Sequence, residues 1–287
     1  MSENTNTKTP NPSIPSSLKP RYEIRKLNRE HHTWAKAIIT HSNAFHSPIF
    51  SVVYPPEKSA TALVHEVYAE ADHLVEHQIE SGMSFGVFDT EYKLKREESK
   101  PTGGKLYWDS EEKGVHETEG TEAEGKRLLE QMDFPLVSVA MSYDAINPLN
   151  MDKMGRLIGA LPIFGVFYYV LASRDTRDPT TWAPTAEKQV LFRAATATRP
   201  DYEGEGLMSG LARWLMREAD ARGFRAIQIE CAHEAVHHIW SKAPAPYKSV
   251  IVSECQTATY EDENGEKPFL PADLLISKCY VELKPKV

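Results

Sequence analysis

The last third of the chain alternates strand-like and helix-like segments, and this alternation restricts the possible folds more than any other feature of the sequence. Apolar residues that alternate with polar ones predict strands, and apolar stripes at helical spacing predict the helices between them. This order predicts an α/β fold with a mixed sheet and helices on its faces. The predicted elements are a strand over 189–198, a glycine-containing turn over 200–206, a helix over 207–222, a strand over 225–231, a helix over 233–242, and strands over 249–260 and 274–283.

The remainder of the chain predicts one domain with two additions. Residues 1–20 are polar and rich in proline, so we expect a disordered N-terminal arm in front of a single domain over 21–287. Within that domain, apolar positions over 63–79 predict one long helix, and the acidic stretch 111–125 predicts a mobile loop. Together with the apolar segments that follow it, this loop forms a predicted insertion at about 111–187.

Charge and composition argue against several kinds of partner. The 287 residues include 33 Lys and Arg against 41 Asp and Glu, and the formal net charge of −8 disfavours nucleic-acid binding through a broad positive field. Residues 157–173 carry no charge, but Gly159, Pro162 and Gly165 interrupt them, so we expect a buried segment and no membrane partner. The three cysteines lie 24 residues apart in both steps, which indicates neither a disulfide framework nor a zinc ribbon and favours a reducing, cytoplasmic location.

The turn between the strand at 189–198 and the following helix has the composition of an anion-binding site. Residues 200–207 read Pro-Asp-Tyr-Glu-Gly-Glu-Gly-Leu, and the two glycines let backbone amides approach a ligand that a side chain would block. The first turn of the following helix presents unpaired N–H groups and the positive end of the helix dipole. The glycine turn and the helix N-terminus together predict a cradle for a pyrophosphate.

The sequence around this turn, TRPDYEGEGLMSGLARWLMREADARGFRAIQIECAHEAVHHIW, resembles the acyl-CoA-binding core of the GNAT acetyltransferase superfamily. The shared pattern is a strand, a Pro-x-Tyr turn, a loop with two glycines, a helix, a second strand and a second helix. The resemblance implies a splayed central sheet and direct transfer of an acetyl group from acetyl-CoA to a small-molecule amine within a ternary complex, without a metal.

The resemblance also implies which residues bind the donor, although the loop departs from the family pattern. Glu203 and Glu205 stand where basic or amide side chains are usual, and Met208 replaces a small residue. These departures, with Trp240 at a position where many members have a tyrosine, leave open a GNAT-like protein that binds a ligand or partner without catalysis. The implied pyrophosphate-binding residues are Gly204, Glu205, Gly206, Leu207 and Met208, and the implied pantetheine-binding residues are Thr196, Ala197 and Thr198.

Three side chains are candidates for the acid–base steps of such a transfer. The reaction needs a base that takes a proton from the acceptor ammonium and an acid that protonates the leaving thiolate. Glu230 and His233 follow the strand at 225–231 and are the candidate bases, acting directly or through water. Tyr247 is the candidate acid.

A third hypothesis is a zinc-dependent hydrolase, because residues 233–237 match the HExxH pattern. The inverted pattern also occurs at 73–77, and the 11 histidines of the chain make such matches frequent, so we expect no bound metal. The acceptor stays open among antibiotics, polyamines, amino acids, peptide N-termini and secondary metabolites. A homodimer is compatible with the aromatic residues of the predicted insertion.

Overall fold

The computed structural model describes residues 14–53 and 58–284. The strands are β1 (Tyr22–Lys26), β2 (Phe85–Asp89), β3 (Lys105–Leu106), β4 (Met132–Asp133), β5 (Leu136–Asp144), β6 (Val190–Thr198), β7 (Ala226–Cys231), β8 (Lys248–Gln256) and β9 (Leu275–Glu282). The helices are α1 (His32–Phe45), α2 (Ala60–Glu70), α3 (Asp72–Glu80), α4 (His116–Glu119), α5 (Thr121–Glu130), α6 (Met151–Ala160), α7 (Pro162–Ser173), α8 (Pro179–Trp182), α9 (Leu207–Ala221) and α10 (Glu234–Ser241).

The central sheet contains seven strands in the order β1-β2-β5-β6-β7-β9-β8, and β3 and β4 form a separate small sheet. Strand β6 pairs in parallel with β7, whereas β1 with β2, β2 with β5, β7 with β9 and β8 with β9 pair antiparallel. Helices α1 to α3 connect β1 to β2, α4 and α5 connect β3 to β4, α6 to α8 connect β5 to β6, α9 connects β6 to β7, and α10 connects β7 to β8. The prediction of a mixed α/β fold is therefore confirmed.

The chain divides into two compact units. The described residues of the first unit are 14–46, 58–141 and 195–211, and those of the second are 47–53, 142–194 and 212–284. Strands β5 and β6 and helix α9 each contribute residues to both units.

The core of the first unit is built around stacked aromatic rings. Trp34 of α1 stacks on Phe134, with ring centroids 5.1 Å apart and an interplanar angle of 6°. Ile38, one helical turn after Trp34, is buried in the same cluster, which explains why the apolar stripe of α1 forms a helix here. The side chain of Arg199 donates to the carbonyl oxygen of Phe134 at 3.0 Å, so the residue after β6 is fixed to this core.

The core of the second unit combines sheet residues with aromatic helix residues. Val190, Ala226 and Tyr280 form a buried cluster across β6, β7 and β9. Phe167 of α7 is buried, and its ring centroid lies 6.0 Å from that of Phe50 in an edge-to-face arrangement. Helix α7 is thus held by aromatic packing, which explains the uncharged composition of residues 157–173.

Strand β5 corrects the predicted insertion at about 111–187. Residues Leu136–Asp144 form a central strand in which all but the last residue are buried, so this part of the segment belongs to the sheet. The acidic stretch 111–125, predicted as a mobile loop, contains α4 and the first half of α5. Glu124 is buried there because its carboxylate pairs with Arg127 at 2.7 Å and accepts the amide of Val115 at 2.7 Å.

The N-terminal half of the chain brings two further differences from the sequence-based expectations. The long helix predicted over 63–79 is two helices, α2 and α3, which meet at Ala71. Of the arm predicted over 1–20, residues 1–13 lie outside the described residues. Residues 14–20 are described, and a methyl group of Leu18 lies so close to Gly210 that an added Cβ would come within 2.4 Å of it.

The uncharged segment at 157–173 is divided between α6 and α7. The division falls at Leu161, whose backbone leaves the helical conformation before Pro162 begins α7. Among the described residues, no helix is long and apolar enough to cross a membrane.

Two glycine-to-alanine substitutions are expected to change stability in opposite directions. A Cβ at Gly86 in β2 would lie 2.4 Å from a Leu136 methyl and 2.9 Å from a Leu27 methyl, both buried, so Gly86→Ala should destabilise by about 1–3 kcal/mol. A Cβ at Gly155 in α6 would meet no atom within 4 Å, so Gly155→Ala should stabilise by about 0.5–1 kcal/mol through helix propensity. Urea unfolding of both variants measures the two effects, and equal signs would contradict this description of the packing.

Candidate active site

The turn between β6 and α9 adopts the open backbone that the two glycines predict. Gly204 and Gly206 have φ angles of 79° and 73°, a conformation that other residues adopt only with strain. A Cβ at Gly204 would meet no atom within 4 Å, and one at Gly206 would approach only Ser209 Oγ, at 3.9 Å. The space above both glycines is therefore open to a ligand.

The backbone amides of this turn are available as hydrogen-bond donors. The first helical bond that crosses the start of α9 runs from the amide of Gly210 to the carbonyl oxygen of Gly206. Within residues 14–53 and 58–284, the amides from Gly204 to Ser209 have no acceptor. Unpaired donors at a helix N-terminus favour a bound anion, so the geometry fits the pyrophosphate group expected at residues 204–208.

Glu205, one of the three acidic residues in the turn, is neutralised by the N-terminal segment. Lys19 donates to the Glu205 carboxylate in a solvent-exposed ion pair. This pair raises the pKa of Lys19, mainly through the hydrogen bond to Glu205. Because the charge of Glu205 is compensated, its repulsion of a nearby phosphate is weaker than the sequence alone suggests.

The start of the turn is tied to the first unit by a buried carboxylate. The Tyr202 hydroxyl donates to Asp89 at 2.8 Å, and Arg21 pairs with the same carboxylate at 2.6 Å. Burial and then the hydrogen bond to Asp89 raise the pKa of Tyr202, which keeps its phenol protonated. Arg199 forms a bidentate pair with Asp201 at 3.0 and 2.7 Å. These contacts hold the backbone leading into Gly204.

The register between β6 and β7 ends before the part of β6 that precedes the turn. The parallel pairing of β6 with β7 covers Val190–Arg193 and Ala226–Ile229, and in the described residues the register does not extend to 194–198. The predicted pantetheine-binding residues Thr196, Ala197 and Thr198 lie in that part. Ser138 of β5 contacts the hydroxyl of Thr198 at 2.8 Å and donates to the carbonyl oxygen of Ala197 at 3.2 Å.

Glu230 is a buried carboxylate with one oxygen that lacks a partner. The residue is 9% exposed and lies on β7. Gln228 donates to Oε1 at 3.4 Å, and Lys278 Nζ lies 4.0 Å from the same oxygen. Among the described residues, Oε2 is buried and has no hydrogen-bond partner. Burial raises the pKa of Glu230 from 4.5 to about 7, and Lys278 opposes this shift. A carboxylate with these properties is suited to general base chemistry near neutral pH.

His233, the other candidate base, caps a helix. Its backbone is extended, and Nδ1 accepts the amide of Ala235 at 3.0 Å, so His233 is the N-cap of α10. The Nδ1 atom of His233 is therefore occupied by the capping hydrogen bond. His237, the second histidine of the HExxH pattern, contacts Ser277 instead at 2.7 Å. In the described part of the chain, no group of three His, Cys, Asp or Glu residues is arranged to hold a metal.

Two further side chains near α10 are relevant to proton donation. The Tyr247 hydroxyl donates to Asp220 at 3.4 Å, and burial followed by the charge of Asp220 raises its pKa. The phenol is therefore protonated at neutral pH, as a proton donor must be. Trp240 is fully buried and its indole nitrogen has no partner among the described residues, so it serves the core.

Aromatic residues lie beside Glu230 within the second unit. Tyr143 of β5 stacks on Phe192 of β6 at 5.1 Å, and the Tyr168 hydroxyl of α7 donates to the carbonyl oxygen of Ala194 at 3.3 Å. Burial raises the pKa values of Tyr143 and Tyr168, and the charge of Glu230 raises both further. Aromatic faces and a buried carboxylate are the groups that recognise an aromatic amine.

Sequence reasoning missed the polar residues around Glu230 and the partner of Glu205. Lys278 and Asp175 are nearly buried and contact each other at 3.3 Å, although 103 residues separate them. Lys19 lies in the segment that the sequence predicted to be disordered. The available signal was the strand register: two antiparallel strands at the end of the chain place a residue of β9 opposite Glu230.

Comparisons with known proteins support the fold through similarity to solved structures. No protein-family model and no curated protein sequence matches the chain. The C-terminal condensation domain of Ebony, solved in complex with beta-alanyl-dopamine, is similar over 92% of this chain and 99% of its own, with a TM-score of 0.60 and 16% identity. Arylalkylamine N-acetyltransferase 2 from Aedes aegypti is similar over 92% and 99%, with a TM-score of 0.54 and 12% identity. The polyamine N-acetyltransferase of Drosophila melanogaster is similar over 91% and 99%, with a TM-score of 0.53 and 12% identity.

These structural similarities define the class of fold. The chain has the fold of the GNAT acetyltransferases, as the resemblance around residues 198–240 implies.

The raised pKa of Glu230 predicts a pH-dependent effect of Glu230→Gln on stability. In the unfolded chain the carboxyl ionises near 4.5, whereas in the folded protein it keeps its proton until about 7. The wild type therefore loses stability as the pH rises from 4.5 to 7, and the variant does not. The unfolding free energy of the variant minus that of the wild type should therefore increase by about 3 kcal/mol across this range. Urea unfolding at pH 5, 6, 7 and 8 measures it, and parallel curves would contradict the assigned environment of Glu230.

Proposed function

We propose that the protein is an acyl-CoA-dependent N-acyltransferase that transfers an acetyl or similar short acyl group to a small-molecule amine within a ternary complex. The observation that carries this proposal is the glycine turn with unpaired amides at the start of α9, in a chain with the GNAT fold. Acetyl-CoA is the proposed co-substrate.

The donor is bound mainly by backbone groups. The amides of Gly204, Glu205, Gly206, Leu207 and Met208 donate to the diphosphate of coenzyme A, and the dipole of α9 favours its charge. The backbone of Thr196, Ala197 and Thr198 forms strand-like hydrogen bonds with the pantetheine arm. Lys19 offsets the charge of Glu205, so the acidic composition of the turn is compatible with anion binding.

Glu230 is the proposed general base. The acceptor reaches the protein as an ammonium ion, which Oε2 of Glu230 attracts because it is buried and lacks another partner. Transfer of one proton to the carboxylate gives a neutral amine, whose lone pair attacks the thioester carbonyl. Collapse of the tetrahedral intermediate breaks the carbon–sulfur bond, and Tyr247 is the proposed donor of a proton to the thiolate. The second proton that the nitrogen loses on becoming an amide returns to the Tyr247 phenolate, directly or through water. His233 remains the cap of α10 in this scheme.

The acceptor that this environment favours is an arylalkylamine. Tyr143, Phe192 and Tyr168 offer aromatic surface in the same unit as Glu230, so a ring and an ammonium group can be recognised together. Two of the similar structures are named for arylalkylamine acetylation or contain beta-alanyl-dopamine, which supports this class of acceptor.

Release of free thiol from acetyl-CoA tests the proposed activity. We expect turnover with phenethylamine or tyramine and weaker turnover with agmatine. Glu230→Gln should lower kcat by about 100-fold or more, because the variant cannot accept the proton. Glu234→Gln, which alters an exposed carboxylate in the first turn of α10, is the matched control and should retain activity.

The same assay separates the proposal from its alternative. A protein that binds acetyl-CoA but releases no thiol with any amine would be a ligand-binding protein with this fold. Absence of both binding and turnover at millimolar acetyl-CoA would overturn the assignment of the turn as a donor site. Equal loss of activity in Glu230→Gln and Glu234→Gln would remove Glu230 from the role of base.

The exposed ion pair at the turn predicts opposite effects of two substitutions on coenzyme A binding. Lys19→Met leaves Glu205 uncompensated and should weaken binding about two- to fivefold, whereas Glu205→Gln should strengthen it by a similar factor. Isothermal titration with coenzyme A measures both. Pantetheine, which lacks the diphosphate, is the control ligand, and its affinity should be the same in all three proteins. Unchanged coenzyme A affinity in both variants would place the diphosphate away from Glu205.

A further inference from the structure

Glu230 belongs to a closed ring of polar side chains in the second unit, of which all but that of Arg177 are nearly buried. Arg177 donates to both oxygens of Asp175 at 2.9 and 2.6 Å and to Gln228 Oε1 at 3.3 Å. Gln228 in turn donates to Glu230 Oε1 at 3.4 Å. Lys278 closes the ring, with Nζ at 3.3 Å from Asp175 Oδ2 and 4.0 Å from Glu230 Oε1.

The other members of the ring approach only one of the two carboxylate oxygens of Glu230. Both ring neighbours, Gln228 and Lys278, approach Oε1, and Oε2 has no partner among the described residues. Strand geometry explains the arrangement, because Glu230 of β7 lies opposite Lys278 of β9 and shares its face of β7 with Gln228, two residues earlier.

Lys278 lies closer to the carboxylate of Asp175 than to that of Glu230. The ammonium group is within hydrogen-bond distance of Asp175 and beyond it for Glu230, so the nearer cation is bound to another acid. A direct Lys278–Glu230 pair would neutralise the carboxylate and compete with an incoming ammonium ion. Asp175 accepts a hydrogen bond from Lys278, and Arg177 donates two hydrogen bonds to Asp175.

We propose that Asp175, held by Arg177, is a positioning residue that keeps Lys278 from pairing with Glu230 and so leaves Glu230 Oε2 available to the acceptor amine. The inference rests on the proposed function, in which Glu230 is the base. In this inference, residues far from β7 in sequence influence the proton transfer to Glu230.

The charge balance of the ring supports this role. With Glu230 ionised, two carboxylates face two cations, and the ring is neutral. Other titratable groups whose electrostatic interaction includes Glu230 are Tyr143 of β5, Tyr168 of α7, Cys231 of β7 and Cys279 of β9. Each of these is uncharged in its protonated form, so Asp175 and Lys278 are the ionic neighbours through which the ring acts on Glu230.

The test follows the titration of Glu230 directly in the folded protein. The protein is labelled with ¹³C at the glutamate side-chain carboxyl, and the resonance that Glu230→Gln removes is assigned to Glu230. The wild-type midpoint is expected at about 7. Asp175→Asn frees Lys278 and removes a like charge, so its midpoint should fall by about one pH unit. Lys278→Gln removes the attractive charge and should raise the midpoint by about one unit, while Lys278→Arg should stay near the wild type.

A control and a kinetic readout distinguish positioning from a general structural role. Asp152→Asn alters an exposed aspartate in the first turn of α6 and should leave the Glu230 midpoint unchanged. In the thiol-release assay with acetyl-CoA and phenethylamine, the rising limb of kcat/KM against pH should shift with the Glu230 midpoint, downward for Asp175→Asn and upward for Lys278→Gln.

The outcomes separate this inference from the proposed function. Midpoints that stay at the wild-type value, or that move in the same direction in both variants, would overturn the inference. If Asp175→Asn does not fold, the contrast between Lys278→Gln and Lys278→Arg still decides it. Shifts of the expected sign in a protein without transferase activity would keep the ring and reject only the proposed function.

Discussion

The pairing of strand β6 determines how the chain can form its candidate site. The first residues of β6 pair in parallel with β7, and that register ends at Arg193 and Ile229. Further along, the strand is held by β5 through Ser138 and through the bond from the amide of Arg199 to the carbonyl oxygen of Val137. The same strand therefore changes its pairing partner along its length and leads directly into the glycine turn.

The glycine turn and the surroundings of Glu230 balance their charges in different ways. The turn at Gly204 presents backbone amides, and one of its acidic side chains, Glu205, is compensated at the surface by Lys19, where water screens both charges. Around Glu230 the side chains of Asp175 and Lys278 are nearly buried and pair with each other, and Arg177 also pairs with Asp175. Glu230 lies 4.0 Å from Lys278, and burial raises the pKa of its carboxyl. A net charge of −8 is thus compatible with an anion site, because local donors determine the potential at the turn.

Sequence patterns predicted the parts of the site that depend on neighbours along the chain. The turn, the strand before it and the helix after it were predictable because glycine, strand alternation and helical stripes are local signals. Glu230 could be predicted as a candidate residue for the same reason, because it lies near the end of a predicted strand. Lys19 and Glu205 are 186 residues apart, and Asp175 and Lys278 are 103 apart, so only the folded chain brings them together. The central strand β5 was missed because its residues are nearly all buried and do not alternate.

One oxygen of Glu230 has no partner among the described residues, and this has a consequence for the end of the proposed catalytic cycle. In the proposed reaction, a proton taken from the acceptor goes to Oε2, since Oε1 already has Gln228 as a donor. The group that accepted a hydrogen bond from the substrate then becomes a hydroxyl that offers one. The N–H of an amide product then faces a hydrogen-bond donor instead of an acceptor. The proposed proton transfer therefore weakens binding of the product and favours its release.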